Sequence, residues 1–431
     1  MEATPTTMTT TTAASQVNRR PFAGLFLAQV LSVFGNSLTA IAIPWFVLDT
    51  TGSVARTGVV AAASVLPAII AMAIGSAAVD RFGFRRMSIV SDLLSMITVA
   101  AIPLAYLTVG LSLPLLLALV FLGALFDAPG STARSSLVPG LAERAGVPLE
   151  RANGLVSGIQ GMAMLAGPIV GGVLIGLVGA SNVLWFNAAT FALSVLIVTV
   201  LIPAGAAPTS ADDPAVGSYL DEVREGWRFV LAHPLIRPIM FIATAVNFVT
   251  NPIFAVLLPA WVNGWIGDPQ VLGFLLAGFG GGSLAGIALY SWVGHRLPRF
   301  PLCVAGIGVF AVAALAFAAG PAWPVLLRVL VVAGIVSAPV NPIIFTVIQE
   351  LVPVDLLGRA MGAIFAAALL ASPVGLLISG LLVEVVGLEM TFAVAGTLLA
   401  VVTLGMTRSV AFRQIGDPRR QQPLPRPAPA Q

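Results

Sequence analysis

Two carboxylates in this chain, Asp92 and Asp127, fall within runs of apolar residues. A carboxylate in such a place can take up a proton from one side of a membrane and hand it on toward the other. Each also has arginine about two turns away, Arg85-Arg86 for Asp92 and Arg134 for Asp127. Structural ion pairing is the favoured expectation for both, and proton relay is its competitor. Neutral polar side chains accompany them in a repeated pattern. Gln29, Ser32 and Asn36 stand at i, i+3 and i+7, and Thr244, Asn247 and Asn251 repeat that spacing 215 residues later. Each trio lines one helix face. Proline follows both in register, at Pro44 and Pro259. Amides and hydroxyls are costly in hydrocarbon unless they face protein or a watery cavity. A stripe that recurs in both halves implies two helices facing one shared polar path, as in a carrier built by duplication.

Bond-breaking chemistry finds no residues to perform it. Every one of the 21 basic residues is arginine, and a phosphate-binding loop needs lysine, so ATP hydrolysis is not expected. Cys303 is the single cysteine, which excludes an internal disulfide framework. His233 and His295 have no metal-ligand spacing around them. No nucleophile stands beside a base. No cofactor and no metal are expected.

The elements that must position the polar stripes are hydrophobic helices. Apolar residues make up 58% of the chain and charged residues 9%. Continuous apolar stretches long enough to cross a bilayer occur near 22–48, 57–79, 87–109, 111–130, 153–178, 181–203, 236–262, 271–294, 301–320, 322–347, 360–383 and 388–407. Continuous rather than alternating runs argue against a β-barrel. The fold class expected is an all-α integral membrane protein of twelve transmembrane helices in two pseudo-symmetric six-helix bundles. With twelve alternating spans, 19 of the 21 arginines fall on one side, Arg56 and Arg328 being the exceptions. The positive-inside rule then places both termini in the cytoplasm. The net charge of +3 reports that bias and not nucleic-acid binding. Residues 1–20 are expected to be disordered, 21–203 to form one bundle, 204–234 to be a cytoplasmic linker with an amphipathic helix near 220–232, 235–408 to form the second bundle, and 409–431 to be a disordered tail.

The halves match beyond the stripes. Asp80-Arg81 corresponds to His295-Arg296 at the same offset of 215, and the later elements match at 208. At that second offset Arg151-Ala152 pairs with Arg359-Ala360, Gly154 with Gly362, Gly167 with Gly375 and Gly172 with Gly380.

Gly75-Ser-Ala-Ala-Val-Asp80-Arg81-Phe82-Gly83-Phe84-Arg85-Arg86 follows the second span. It resembles the hallmark loop of the major facilitator superfamily, with Ser76 where a glycine is usual and Phe84 where a basic residue is common. The resemblance covers about residues 20–408. It implies that Asp80, Arg81, Gly83, Arg85 and Arg86 form a gating loop, in which Asp80 could latch onto a neighbouring helix terminus. Gly167-Pro168-Ile-Val-Gly171-Gly172 resembles the antiporter motif of drug-exporting facilitators. Phe126-Asp127-Ala-Pro129, Ala133-Arg134-Ser-Ser-Leu137-Val-Pro139, Arg151-Ala152-Asn153-Gly154 and Gln349-Glu350-Leu351-Val352-Pro353 are similar to the drug, macrolide and siderophore efflux branch.

The expectation is therefore a secondary active exporter of an amphipathic small molecule, exchanging it for protons by alternating access, as a monomer in the cell membrane. Its partners would be that substrate, protons and the lipid bilayer, without nucleic acid. Gln29, Ser32, Asn36, Gln160, Thr244, Asn247, Asn251 and Asn341 are the candidate cavity residues, with Phe34, Phe248, Phe254 and Phe365 as aromatic candidates. An importer or facilitator of a metabolite is an alternative, as is a non-transporting receptor or scaffold.

Overall fold

The computed structural model describes residues 19–203 and 219–413, without the side chains of 68, 69, 71–82, 219–223, 295, 354, 355, 410 and 411. The regular structure of the described residues is helical, as hydrocarbon demands: only internal hydrogen bonding satisfies the backbone there. The first half comprises α1 (Arg20–Thr51), α2 (Val54–Phe82), α3 (Phe84–Thr108), α4 (Leu113–Arg144), α5 (Leu149–Val178) and α6 (Ala180–Leu201). A surface helix, α7 (Tyr219–Ala232), precedes the second half. There α8 (Ile236–Pro252) runs through a π-helical turn, Ile253–Leu257, into α9 (Leu258–Trp265). Then come α10 (Pro269–Val293), α11 (Arg299–Ala318), α12 (Trp323–Ser337), α13 (Val340–Leu351), α14 (Val354–Val386), α15 (Leu388–Arg408) and the short α16 (Val410–Arg413).

Eleven helices among the described residues are long and apolar enough to cross a membrane, α8–α9 and α12–α13 each counted as one. The 29-residue α2 holds the twelfth place. Twelve transmembrane helices in two bundles therefore stand, with two differences of detail. The seventh span is interrupted by the π turn after Pro252, and the tenth is broken at Ala338-Pro339. Proline explains both, because it removes an N–H and crowds the preceding turn. The expected disordered termini and the linker 204–218 lie outside the described residues. Two stretches are exceptions: Arg19 and Arg20 are described, Arg20 opening α1, and in 409–413 Phe412 is buried in the second bundle and anchors α16 there.

Three hydrophobic cores define the architecture. One core runs across both bundles at the end remote from Arg20 and Arg408, joining α1 and α2 to α9, α10, α14 and α15. At the opposite end the two bundles have separate cores. One is built on Leu25, Leu137, Leu141 and Val198. The other is built on Ile236, Ile307, Val347 and Ile364. The described residues thus form a V, shut at one mouth and parted at the mouth that carries Arg20 and Arg408. Gly154 and Gly158 of α5 and Gly358 and Gly362 of α14, all in the parted region, would meet nothing within 4 Å if given a Cβ.

The shut mouth is sealed by backbone against backbone. A Cβ on Gly58 would lie 2.5 Å from the Leu376 carbonyl oxygen and 3.2 Å from the Gly380 Cα. On the other flank a Cβ on Gly172 would lie 2.6 Å from the Pro269 carbonyl oxygen and 3.1 Å from the Gly273 Cα. The repeat exchanges the two contacts, since Gly58 corresponds to Gly273 and Gly172 to Gly380. Ser53 Oγ also donates to Glu384 across this mouth, at 2.7 Å. Gly172→Val is expected to wedge the seam apart. Labelling of a Ser53→Cys reporter (in a Cys303→Ala background) by a membrane-impermeant thiol reagent from that side should rise several-fold. Unchanged labelling would mean that the seam yields without opening.

The surface helix α7 is fastened to the second bundle. Glu225 pairs with Arg359, and a Cβ on Gly226 would lie 2.5 Å from the Arg359 carbonyl oxygen. His233 Nδ1 accepts the N–H of Leu235 at 3.2 Å and of Ile236 at 3.3 Å, closing the entry to α8. Burial lowers the His233 pKa from its ordinary 6.5, so the folded state prefers the neutral ring. Above that value both states are neutral and stability is flat. Below it the unfolded chain takes the proton first, and stability falls. Thermal stability in detergent is expected to drop as the pH falls below the ordinary 6.5 and to level off only below the lowered pKa of the folded state. His233→Asn should flatten the drop, and an identical pH profile in that variant would remove His233 as its cause.

Candidate functional site

The first stripe does not stand free. Gln29 and Ser32 on α1 are buried and hold Arg134 of α4, which is 1% exposed. Arg134 Nε donates to Gln29 Oε1 at 3.0 Å, Nη2 to Ser32 Oγ at 2.8 Å, and Nη1 to Asp92 Oδ1 on α3 at 2.6 Å. Asp92 is fully buried, and its other oxygen accepts Ser194 Oγ of α6 at 2.6 Å. Four helices therefore converge on one ion pair whose polar atoms have partners, the condition under which a buried charge is tolerable. Gly130, one turn before Arg134, makes the space. A Cβ there would lie 2.8 Å from Ser91 Cβ and 3.5 Å from both Arg134 Nη1 and Asp92 Oδ1.

This corrects the expected pairing. Asp92 joins Arg134, not the Arg85-Arg86 pair, and Asp127 forms no direct ion pair among the described residues, although the Arg134 charge is near enough to act on it. Arg85 turns to the C-terminal carbonyls of α6 instead, donating to Thr199 O at 2.8 Å and Ile202 O at 2.6 Å. A cation on the last turn of a helix complements its dipole.

Asp127 makes a different kind of site. Asn36, half-way along α1, donates from Nδ2 to Asp127 Oδ2 at 2.8 Å. Asp127 Oδ1 is buried and has no hydrogen-bond partner. One oxygen is fixed and the other is free, an arrangement open to proton exchange. Asp127 and Arg134 are seven residues apart and so share a face of α4.

The second stripe carries no charge. Thr244 donates to Met240 O, Asn247 to Ala243 O at 2.9 Å, and Asn251 to Ser372 Oγ of α14 at 3.0 Å. All three are half-buried, while Gln160 on α5 and Asn341 on α13 are exposed. Of the aromatic candidates, Phe34, Phe248 and Phe254 are half-buried and Phe365 is exposed, its ring 5.7 Å from that of Phe345. Asn36 and Asn251 thus both face a neighbour across helices.

In the loop after α2, Gly83 takes φ +79 at the start of α3 and Arg86 is exposed. The side chains of Asp80 and Arg81 lie outside the described residues. The glycine-proline motif of α5 has two faces. Gly167 and Gly171 admit Ser37 and Ile41 of α1, and Gly172 with the Pro168 carbonyl meets Gly273 of α10. Ser194, Gly130 and Ser372 belong to the site and escaped sequence reasoning. Only Gly130 left a legible mark, one helical turn from an arginine inside an apolar span.

Two six-helix bundles, shut at one mouth, parted at the other and carrying polar and charged side chains between helices, define a multi-pass membrane transporter. The family model of the Major Facilitator Superfamily matches residues 25–265 and again 240–430. The chain belongs to the Major Facilitator Superfamily, a family of transporters and not of enzymes. It is 33% identical over 413 residues to the multidrug efflux pump Tap of Mycobacterium tuberculosis strain H37Rv, covering 95% of this chain and 98% of that protein. Tap of Mycolicibacterium fortuitum is 33% identical over 88% of this chain and 93% of that protein. The enterobactin exporter EntS of Escherichia coli O1:K1 is 25% identical over 79% of this chain and 80% of that protein. Within the family the chain therefore sits with the drug and siderophore efflux branch. Its fold is also that of the nucleoside transporter NupG (TM-score 0.72, 13% identity, 90% of this chain and 98% of that one). A bacterial ferroportin homologue in its inward-facing state is similar as well (TM-score 0.67, 15% identity, 90% and 99%).

Proposed function

We propose that this chain is a monomeric secondary exporter that carries amphipathic small molecules out of the cell in exchange for protons. Both termini lie in the cytoplasm on this reading, so the parted mouth opens inward and admits substrate from the cytoplasm or inner leaflet. The observation that carries the coupling is the Asn36–Asp127 contact: a carboxylate between helices with one hydrogen-bonded oxygen, one free oxygen and no direct ion pair among the described residues. Asp92 is not the carrier, because Arg134 and Ser194 hold both its oxygens. Proton uptake by Asp127 from outside would favour return to the inward-open state, and its release inside would accompany loading. The Asp92–Arg134 pair serves as the frame that keeps α1, α3, α4 and α6 in register.

The test is accumulation of a fluorescent amphipathic dye by inside-out vesicles under an imposed proton gradient. Uptake that requires the protein and collapses with a protonophore is the expected result. Dye movement insensitive to the gradient would overturn the exchange and leave a facilitator.

A further inference from the structure

The two bundles repeat each other in backbone but not in chemistry. The internal offsets place Ile307 where the first bundle has Asp92, and Val402 where it has Ser194. At the matching α4 and α12–α13 segments, Ala128-Pro129 corresponds to Ala338-Pro339, which sets Ser337 against Asp127 and Ile344 against Arg134. Ile307 is buried, and Ile344 and Val402 pack on the same core. The ion-pair frame of the first bundle is thus replaced by hydrocarbon in the second. Asn247 and Asn251 have no arginine to hold, unlike Ser32 at the position matching Asn247.

A second replacement runs the same way, from hydroxyl to aromatic ring. Thr39, Ser64 and Ser95 of the first bundle correspond to Phe254, Phe279 and Phe310 of the second. These rings form one cluster, with centroids 4.7 Å apart for Phe254–Phe279, 5.8 Å for Phe279–Phe310 and 6.4 Å for Phe254–Phe310. Each keeps part of its surface open. Phe254 lies in the π-helical turn, three residues after Asn251. Such turns recur at functional sites. Amides beside open aromatic faces suit a ligand with its own ring and one or two hydrogen-bonding groups, and offer nothing to a compact ion.

We propose that the bundles divide the work: the first moves the proton, and the second selects the substrate through Asn247, Asn251 and the Phe254–Phe279–Phe310 cluster. The preferred cargo is then an uncharged, ring-bearing amphiphile. This rests on the exporter reading above, and binding can be measured apart from transport. Two neutral aromatic dyes, one with an amide and one without, would be titrated onto the purified protein by fluorescence anisotropy. Asn251→Leu and Phe254→Leu are expected to change the ratio of the two affinities about tenfold, the size of one contact worth ~1.4 kcal/mol. Asp127→Asn should leave that ratio where it is in the wild type. Both leucine variants are compared only where their thermal unfolding midpoint and gel-filtration profile match the wild type, which guards against a misfolded variant. A ratio reset by Asn36→Leu or Asp127→Asn, with Asn251→Leu and Phe254→Leu silent, would overturn the division. Binding of both dyes by a wild-type protein that never transports either would instead overturn the exporter reading.

Discussion

Asp127→Asn is expected to reduce gradient-driven dye export to the level of vesicles lacking the protein, while substrate-for-substrate exchange without a gradient continues. The reasoning is geometric. Asn36 Nδ2 bonds Asp127 Oδ2, and an asparagine oxygen at 127 can accept the same bond. The change therefore preserves the α1–α4 contact and removes only the group able to lose a proton. Carriers that exchange cargo without an ion need the cleft and the rocking motion but not the acid. Proteoliposomes loaded with unlabelled dye would read exchange, and an imposed pH difference would read coupling. Exchange lost together with export would mean that Asp127 serves structure. Export retained would move the proton path elsewhere.

The largest effect on stability is expected at Arg134. Arg134→Met strands a fully buried Asp92 carboxylate, and losing one partner of a buried ion pair costs about 3–5 kcal/mol. Adding Asp92→Leu should return a good part of that loss, because no unpaired charge is then buried. Recovery stays incomplete, since Gln29, Ser32 and Ser194 lose their partner and each unmet buried polar group costs about 1–3 kcal/mol. The order single variant below double variant below wild type, read by thermal unfolding in one detergent, is the decisive sign. Losses that simply add would mean that the two side chains act independently.

Much of this architecture could be read from residue order. Twelve spans, the surface helix and the repeat all emerged from hydropathy and spacing, because a bilayer leaves the backbone few options. The site was legible in its members and not in its pairings. Gln29, Ser32, Asn36, Asp92, Asp127 and Arg134 are all visible as polar residues in apolar runs. Which of two aspartates takes the buried Arg134 depends on how α3 and α4 lie side by side. No spacing along one helix encodes that. Proximity in sequence pointed from Asp127 to Arg134, yet Arg134 bridges to α1 and α3 instead. Ser194 was hidden for the same reason, sitting 102 residues from the carboxylate it serves. The π turn escaped because Pro252 signals a disturbed helix without saying how the helix recovers.

The glycine seams at the shut mouth bear on what the molecule does while idle. Dispersion attraction is short-ranged: a gap of about 0.5–1 Å forfeits a quarter to a half of it. Contacts made by backbone atoms on both sides cannot stretch to follow a moving neighbour, as long side chains would. Because the repeat exchanges the two seams, a tilt that parts one strains its counterpart on the opposite flank. The barrier is then either whole or gone, with no half-open state through which water could thread. A membrane carrying many resting copies would stay electrically silent, and its ion gradient would drain only when cargo moves.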